Sequence, residues 1–299
     1  MSKNTENRNP VSRDIDRVST EEALRIINAE DRTVADTVAE AIPEIASVVE
    51  ECTARFSAGG RLIYVGAGTS GRLGVLDASE IPPTFGIEPG RVVGVIAGGP
   101  EALVSAVEGA EDSVKAAPED LGEIRLAQKD VVVCLSASGE TPYTVAAAEL
   151  ARSLGCFIAA VTSNRDSRLA SEVDTAIVVE TGPEVIAGST RLKAGTAQKL
   201  VLNMISTMVM VRLGYTTGNV MTNLWVANEK LRQRAESILG AELGLPSSEA
   251  ATLLESCGGD LRVAIVSGRT GCGGDDARAA LLKTSFVINR AVDLVRSAK

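Results

Sequence analysis

Five short runs of apolar residues alternate with helix-forming stretches through the middle of the chain. Each run is four to six residues long and rich in β-branched and aliphatic side chains, which is typical of strands buried on both faces of a parallel sheet. Because strands and helices alternate, the sequence predicts an α/β fold with a doubly wound, five-stranded parallel sheet. The predicted strands are Arg61–Val65, Val92–Ile96, Val131–Leu135, Phe157–Thr162 and Ala176–Val179.

The residues on either side of this alternation predict helical additions to a central sheet domain. Residues 1–58 are expected to form an N-terminal helical arm, with one helix from Thr20 and another over Thr33–Ser57, where Pro43 marks the expected break. Residues 59–240 would form the sheet domain with its core helices. Beyond a linker, residues 245–299 predict a small helical domain. Its expected helices are Glu249–Ser256, Asp260–Ser267 and Asp275–Ser297, and a further amphipathic helix is expected before it, over Trp225–Leu239.

The composition argues against several classes of function. A formal net charge of −9 at pH 7 disfavours nucleic acid and anionic membranes as partners. No apolar stretch has membrane-spanning length, the start of the chain is too polar for a signal peptide, and the five cysteines show no C-x-x-C spacing. We therefore expect a cytoplasmic protein with reduced thiols.

The chain contains no histidine. This excludes a Ser-His-Asp triad, a Cys-His pair and any imidazole metal ligand. No cluster of cysteines or carboxylates points to another kind of metal site, so we expect neither a metal nor a cofactor. If the protein is an enzyme, its proton transfers fall to Glu, Asp, Lys, Tyr or Cys.

The first of two glycine- and hydroxyl-rich loops, Gly66–Gly71, follows the first predicted strand. It matches the G-x-G-x-x-G pattern of dinucleotide sites, but the next predicted strand ends without the acidic residue that would hold a ribose. A helix is predicted to follow, and the free N–H groups of a helix N-terminus favour an anion. We therefore expect Gly68, Thr69 and Ser70 to bind a phosphorylated ligand, with a plain strand-to-helix turn as the alternative.

The second loop, Ser136–Thr141, follows the third predicted strand and carries hydroxyl groups at Ser136, Ser138 and Thr141. One hydroxyl is enough to cap the next helix, so three favour a phosphate ester, which accepts hydrogen bonds from hydroxyls and backbone N–H groups. In the flavodoxin-like strand order 2-1-3-4-5, the first and third strands are neighbours at the topological switch point, where ligands bind. Both loops would then face one crevice.

The two loops resemble the phosphosugar-binding halves of the sugar isomerase (SIS) domain family. Most of the chain, from Ser19 to Ala235, further resembles the N-acetylmuramic acid 6-phosphate etherase family, and the C-terminal unit is more weakly similar to that family's ubiquitin-associated-like domain. The segment Met221–Trp225 departs from the family pattern. The departure affects what can be inferred about the pocket edge or a dimer contact, but not about the chemistry. The matching segments are Gly66–Arg72, Asp77–Gly86, Ile96–Gly99, Glu108–Asp112 and Gly188–Lys199.

This resemblance implies a carbon–oxygen lyase of cell-wall amino-sugar recycling. It implies ring opening, removal of the C2 proton, elimination of D-lactate from C3 and addition of water, to give N-acetylglucosamine 6-phosphate. By the same resemblance, Glu80 corresponds to the proton donor and Glu111 to a second catalytic carboxylate. Carboxyl groups with a pKa raised in a partly desolvated pocket suit a chain without histidine. Which carboxylate takes the C2 proton stays open.

The residues themselves leave alternatives for both carboxylates. Glu80 could be a solvated helix residue, although Ile81–Pro83 follows it and predicts that the helix ends there. Glu111 could belong to an exposed acidic face with Glu108 and Asp112.

Two basic residues and one apolar stretch are predicted to lie around the crevice. Lys193 and Arg72 are the basic residues nearest the motifs, and Lys193 is a candidate for substrate binding, with a structural or surface cation as the alternative. The stretch Lys193–Leu213 is apolar almost all round, so it should be buried in the core or in a subunit interface. The resemblance implies a homodimer in which a second subunit completes the crevice.

Two other functions use the same loops. A non-catalytic phosphosugar sensor would resemble the vertebrate glucokinase regulator, which carries two such domains where this chain has room for one. It would need neither Glu80 nor Glu111. An aldose–ketose isomerase finds no support in the segment Pro82–Gly86.

Overall fold

The computed structural model describes residues 4–223 and 229–298, and they divide into two compact units. Unit 1 comprises Met1–Glu80 and Pro89–Thr207, and unit 2 comprises Ile81–Glu88 and Met208–Lys299. The domain boundaries predicted from the sequence, at residues 58, 240 and 245, stay a prediction.

Unit 1 contains the predicted parallel sheet, and each predicted strand lies within one residue of its observed bounds. The strands are β1 (Leu62–Gly66), β2 (Val92–Ile96), β3 (Val131–Leu135), β4 (Phe157–Thr162) and β5 (Thr175–Val178). Their order is β2-β1-β3-β4-β5, so the predicted doubly wound order is confirmed. All residues of β1 and β3 are buried, as expected for central strands covered on both faces.

Helices and short 3-10 turns connect and cover the strands. The α-helices up to residue 212 are α1 (Thr20–Asp31), α2 (Thr33–Glu40), α3 (Ile42–Ser57), α4 (Gly68–Phe85), α5 (Ala116–Glu123), α6 (Pro142–Ser153), α7 (Arg168–Ser171) and α8 (Lys193–Arg212). The 3-10 helices are Asn4–Glu6, Gly99–Leu103 and Ala110–Asp112.

Unit 2 contains a two-stranded antiparallel ribbon and a helical bundle. The bundle has its own core, in which Leu254, Leu261 and Leu281 are fully buried. The elements are β6 (Thr216–Thr217), β7 (Val220–Met221), α9 (Glu229–Leu243), α10 (Ser247–Ser256), α11 (Leu261–Thr270), α12 (Gly274–Lys283) and α13 (Ile288–Ser297). Residues 225–228 of the helix predicted from Trp225 lie outside the described residues, and its remainder falls in α9.

Alanines let α6 pack closely on the sheet. Ala147, Ala148 and Ala151 are fully buried in the same cluster as Val132 of β3 and Ile158 of β4. Small side chains on the inner face of α6 let the helix axis lie close to the strands. This packing fixes the N-terminus of α6 at the end of β3.

Prolines misled two helix predictions. The break between α2 and α3 falls at Ala41 rather than Pro43, because Pro43 occupies the first turn of α3, where its missing N–H costs nothing. The prediction that the helix ends near Ile81–Pro83 is wrong, since α4 continues through both prolines to Phe85. Only its last turn loses hydrogen bonds there, and Asn223 closes that end by donating to the Phe85 carbonyl oxygen at 2.7 Å.

Two further helix predictions need correction. The single helix expected over Asp275–Ser297 is two helices, α12 and α13, because Ser285 and Phe286 adopt φ values of 53° and 61°, which no helix accepts. Helix α8 is not buried all round within one chain, since Thr196, Lys199 and Met204 are exposed along one side.

A buried carboxylate and a partly buried ion pair fix the N-terminus of α8. Glu184 is fully buried and accepts hydrogen bonds from the backbone N–H groups of Lys193 and Ala194, both at 2.9 Å. The Lys193 ammonium is itself 3% exposed and donates to Glu30 of α1 at 2.6 Å. Burial alone would raise the pKa of Glu30, but hydrogen bonds from Lys193 and Asn9 outweigh it and lower the pKa below 4.5.

We predict that Glu30→Gln destabilises the protein by about 3 kcal/mol at pH 7, because it leaves the buried Lys193 charge unpaired. Since the pKa of Glu30 is lowered on folding, its contribution is fully present above about pH 4.5 and is lost as the pH falls through the folded-state pKa. Urea unfolding at pH 7 and at pH 4 should therefore show a smaller difference from the native chain at the lower pH. The control is Glu21→Gln, also on α1, whose exposed pair with Arg25 is worth less than about 1 kcal/mol. Equal effects of the two substitutions would contradict the prediction.

Candidate functional site

The two loops leave the sheet side by side. β1 and β3 pair in parallel register with Gly66 opposite Leu135, so both loops begin at the carboxyl edge of the sheet. The first loop turns tightly, and a Cβ atom on Gly71 would lie 2.6 Å from the Gly66 carbonyl oxygen. Gly68 begins α4 with a φ of +53°, a conformation that favours glycine. The glycines of the predicted motif are thus required by this turn.

The start of α4 leaves free backbone donors beside the sheet. Its first internal hydrogen bond runs from the Gly71 N–H to the Ala67 carbonyl oxygen, at 3.1 Å. The N–H groups of Gly68, Thr69 and Ser70 therefore precede the internal hydrogen bonding of the helix. Together with the helix dipole, they make this end of the crevice attractive to an anion.

The three hydroxyl groups of the second loop lie together. The Oγ of Ser136 is 2.8 Å from the Oγ1 of Thr141 and 3.3 Å from the Oγ of Ser138. Ser136 also accepts the Gly139 N–H at 3.0 Å, and Ser138 accepts the Glu140 N–H at 3.2 Å. Two of the hydroxyls thus shape the turn, and all three converge as a group of donors and acceptors.

The helix after the second loop has no side-chain cap. Thr141 occupies its N-cap position without making a capping hydrogen bond, and the first internal bond is from the Val145 N–H to the Thr141 carbonyl oxygen. Gly139 has a φ of +69°, and a Cβ atom there would lie 2.2 Å from the Ser167 Oγ. The loop is therefore held in one conformation, and the N-terminus of α6 faces the hydroxyl group cluster.

A cavity of about 220 Å³ adjoins the first loop and contains one of the two predicted carboxylates. Gly68 and Glu111 both line it. Arg72 lines it too, and its guanidinium donates to the carbonyl oxygens of Leu103 and Ser105 at 3.3 and 3.1 Å. Arg72 thereby positions the segment that leads to Glu111. From the sequence, Arg72 was predicted only to be a basic residue near the motifs. Its hydrogen bonds to main-chain oxygens more than 30 positions away could not be predicted.

Glu80 does not lie near these residues in the same chain. It is exposed on α4, twelve positions after Gly68, and at about 1.5 Å per residue this places it about 18 Å along the helix axis from the first loop. Glu111 is exposed as well. The partly desolvated pocket expected around both carboxylates is thus not formed by a single chain.

Lys193 also differs from its expected place. Its ammonium is buried and paired with Glu30, so in this structure it is a structural cation and not a free partner for a substrate.

Asp77 is a buried carboxylate that the sequence analysis did not single out. It is 6% exposed and accepts hydrogen bonds from Tyr64 at 2.9 Å, Asn203 at 2.8 Å and Ser206 at 3.1 Å. These bonds fix α4 to β1 and α8 one turn before Glu80. The sequence feature that could have identified Asp77 is its position at the start of the matching segment Asp77–Gly86.

Thiol and phenol groups near the crevice are unsuited to proton transfer near neutral pH. Burial raises the pKa of Cys134, at the end of β3, to about 12. Burial and then the Asp77 carboxylate raise the pKa of Tyr64 well above 10. Within the described residues, no group of three His, Cys, Asp or Glu side chains is arranged to hold a metal ion. None of the described helices has the length and apolarity needed to span a bilayer.

Comparisons with known proteins agree with this geometry. The family model of the glucokinase regulatory protein N-terminal SIS domain matches residues 44–152, and the SIS domain model matches residues 112–208. A putative phosphosugar isomerase involved in capsule formation from Bacteroides fragilis has a similar structure, with a TM-score of 0.51 at 23% identity over 66% of this chain and 93% of that one. The strand order and the paired loops thus define a sugar isomerase (SIS) domain protein.

Curated relatives identify the family more narrowly. The N-acetylmuramic acid 6-phosphate etherase of Cutibacterium acnes is 50% identical over 97% of this chain and 95% of its own length. The enzyme of that name from Rubrobacter xylanophilus is 52% identical over 93% of this chain and 92% of its own. The chain belongs to the N-acetylmuramic acid 6-phosphate etherase family, so the predicted family and its enzyme class are confirmed.

The second loop generates a binding prediction. Ser138→Ala should raise the KM for a phosphorylated sugar about 10- to 100-fold, because a lost hydrogen bond to a charged group costs about 1.5–3 kcal/mol. Steady-state kinetics and calorimetric binding of the sugar phosphate measure the change. Ser153→Ala, at the exposed far end of α6, is the control and should leave KM unchanged. Unchanged binding in both Ser136→Ala and Ser138→Ala would show that the loop does not hold the phosphate.

Proposed function

We propose that this chain cleaves the lactyl ether of N-acetylmuramic acid 6-phosphate, giving N-acetylglucosamine 6-phosphate and D-lactate. The observation that carries this proposal is about 50% identity, over nearly the whole chain, to relatives named for that activity. The crevice fits the substrate class, since two helix N-termini and a cluster of hydroxyls meet at one edge of the sheet. Among the proteins described above, none that would support a regulator or an isomerase is as similar to this chain as the two etherases are.

The phosphate binds at the second loop in this proposal. Hydroxyl and backbone N–H donors can surround the three terminal oxygens of a phosphate monoester, and the dipole of α6 favours their charge. No lysine or arginine is needed for this. The sugar then extends towards the first loop and the cavity that Glu111 lines.

Two carboxyl groups carry the proton transfers. In the open-chain sugar, a base removes the C2 proton, the electrons form the C2–C3 double bond, and the lactate oxygen leaves C3 with a proton from an acid. Water then adds to C3 and a proton returns to C2. We assign these roles to Glu80 and Glu111. Without imidazole, two carboxyls held in different protonation states meet both needs, and no metal or cofactor takes part.

We further propose that the enzyme is a cytoplasmic homodimer. Cys52, Cys134, Cys156, Cys257 and Cys272 are all free thiols, which fits a reducing compartment. The exposed side of α8, where Met204 is 37% exposed, offers apolar area to a second subunit.

Substitution of each carboxylate tests the reaction. Glu80→Gln and Glu111→Gln should each lower kcat for D-lactate release by about 10²- to 10⁴-fold with little change in KM, because the amide keeps the shape and loses the proton. Glu101→Gln, an exposed change near the same cavity wall, should have no effect. In deuterated water the native enzyme should place deuterium at C2, and in ¹⁸O water it should place the label at C3. Retention of the original C3 oxygen would mean that the lactyl side of the ether is cut, and the elimination mechanism would fail.

A further inference from the structure

The second loop is hydrogen-bonded along one side to the chain segment that ends β4 and begins α7, residues 162–169. Resting on the proposed binding of the sugar phosphate at this loop, we propose that Asn164 is a positioning residue for the phosphate. Its side-chain amide fixes the loop so that peptide N–H groups, and not carbonyl oxygens, face the bound anion. Asn164 itself does not touch the substrate.

The side-chain amide of Asn164 donates to two consecutive carbonyl oxygens of the loop. It bonds to the oxygens of Ala137 and Ser138, each at 3.2 Å. The Ala137 oxygen has a further donor, the Ser163 N–H, at 3.0 Å. For the Ser138 oxygen, Asn164 is the only hydrogen-bond donor among the described residues. The orientation of the peptide group between Ser138 and Gly139 therefore depends on Asn164.

The opposite ends of these peptide groups face the hydroxyl groups of the loop. None of the described peptide bonds is cis, so the C=O and the N–H of each peptide group point in opposite directions. The Gly139 N–H accordingly donates to the Oγ of Ser136 at 3.0 Å. The Ser138 N–H, opposite the Ala137 carbonyl, is not bonded to any described residue. A phosphate on this side meets N–H and hydroxyl donors, as in the anion sites that successive peptide N–H groups form.

Gly139 makes a constraint from outside the loop necessary. A Cβ atom at this position would lie 2.2 Å from the Oγ of Ser167, so the loop requires glycine here. Glycine adopts φ values of either sign at little cost, so the residue does not by itself fix the φ of +69° observed at Gly139. A peptide group next to glycine rotates easily unless its oxygen is held, and the amide of Asn164 holds the Ser138 oxygen.

Rotation of the peptide group between Ser138 and Gly139 would reverse the dipole that faces the ligand. The Ser138 oxygen would then take the place of the Gly139 N–H beside Ser136. A carbonyl oxygen carries a partial negative charge, which repels a phosphate. The Ser136 hydroxyl would also donate to this oxygen instead of to the ligand. Asn164 therefore favours the one loop conformation that binds an anion.

Calorimetric binding of N-acetylglucosamine 6-phosphate tests this role without requiring turnover. Asn164→Ala should raise the Kd for this product about 10-fold, because part of the population rotates the peptide group. Asn164→Asp keeps the shape of the side chain but places a carboxylate oxygen against the Ser138 oxygen, so it should raise the Kd further.

Steady-state kinetics separate this role from a purely structural one. With N-acetylmuramic acid 6-phosphate, KM should rise in the same order as the Kd, while kcat at saturation stays within about 2-fold of the native value, since the proposed catalytic carboxylates are unchanged. A smaller folded fraction would instead lower kcat and leave KM unchanged. Either that result or a native Kd in both Asn164 variants would overturn the proposal.

Ser171→Ala is the matched control. Ser171 is exposed on α7, and its hydroxyl donates to the Arg168 carbonyl oxygen at 2.7 Å, so the change removes a hydrogen bond to a main-chain oxygen outside the loop. Its Kd and KM should equal those of the native chain. Native protein that does not bind N-acetylglucosamine 6-phosphate would also overturn the proposal. Native protein that binds this product but releases no D-lactate would refute the etherase function alone.

Discussion

The parallel pairing of β1 and β3 is the constraint on which the site depends. Its register brings Gly66 level with Leu135, so the two hydroxyl-rich loops start at one edge of the sheet. Each loop then leads into a helix whose first N–H groups have no partner within that helix. The proposed recognition of phosphate thus follows from strand pairing and helix geometry, without a cation. In this proposal, a chain with a net charge of −9 holds an anionic sugar through neutral donors and dipoles.

A second constraint comes from buried carboxylates that stabilise rather than react. Glu184 caps α8, and Asp77 joins α4 to the sheet and to α8. The carboxylates proposed for catalysis, Glu80 and Glu111, are both exposed. The buried acids therefore fix the scaffold, and the exposed acids would reach a desolvated site only if the second subunit of the proposed homodimer covers them.

The sequence was most informative where local rules decide the structure. Five apolar runs ending in turn residues predicted the strands, the flavodoxin-like fold class supplied their order, and the loop glycines predicted the turn at Gly66–Gly71. Prediction failed where tertiary contacts override local preference. The pairing of Lys193 with Glu30 joins residues 163 positions apart, and the positive φ at Ser285 and Phe286 occurs without any glycine. The distance between Glu80 and the first loop could have been predicted, since a helix from Gly68 to Glu80 is about 18 Å long whether or not it continues through Pro82 and Pro83.

The central claim is that the two loops at the ends of β1 and β3 form the sugar-phosphate site. Amide chemical shifts followed by NMR during titration with N-acetylglucosamine 6-phosphate test it most directly, since product binding does not require turnover. The account predicts that the largest shifts occur at Gly68, Thr69, Gly139 and Glu140, and that N-acetylglucosamine without phosphate leaves Gly139 and Glu140 unmoved. Saturable shifts confined to other parts of the chain would contradict it.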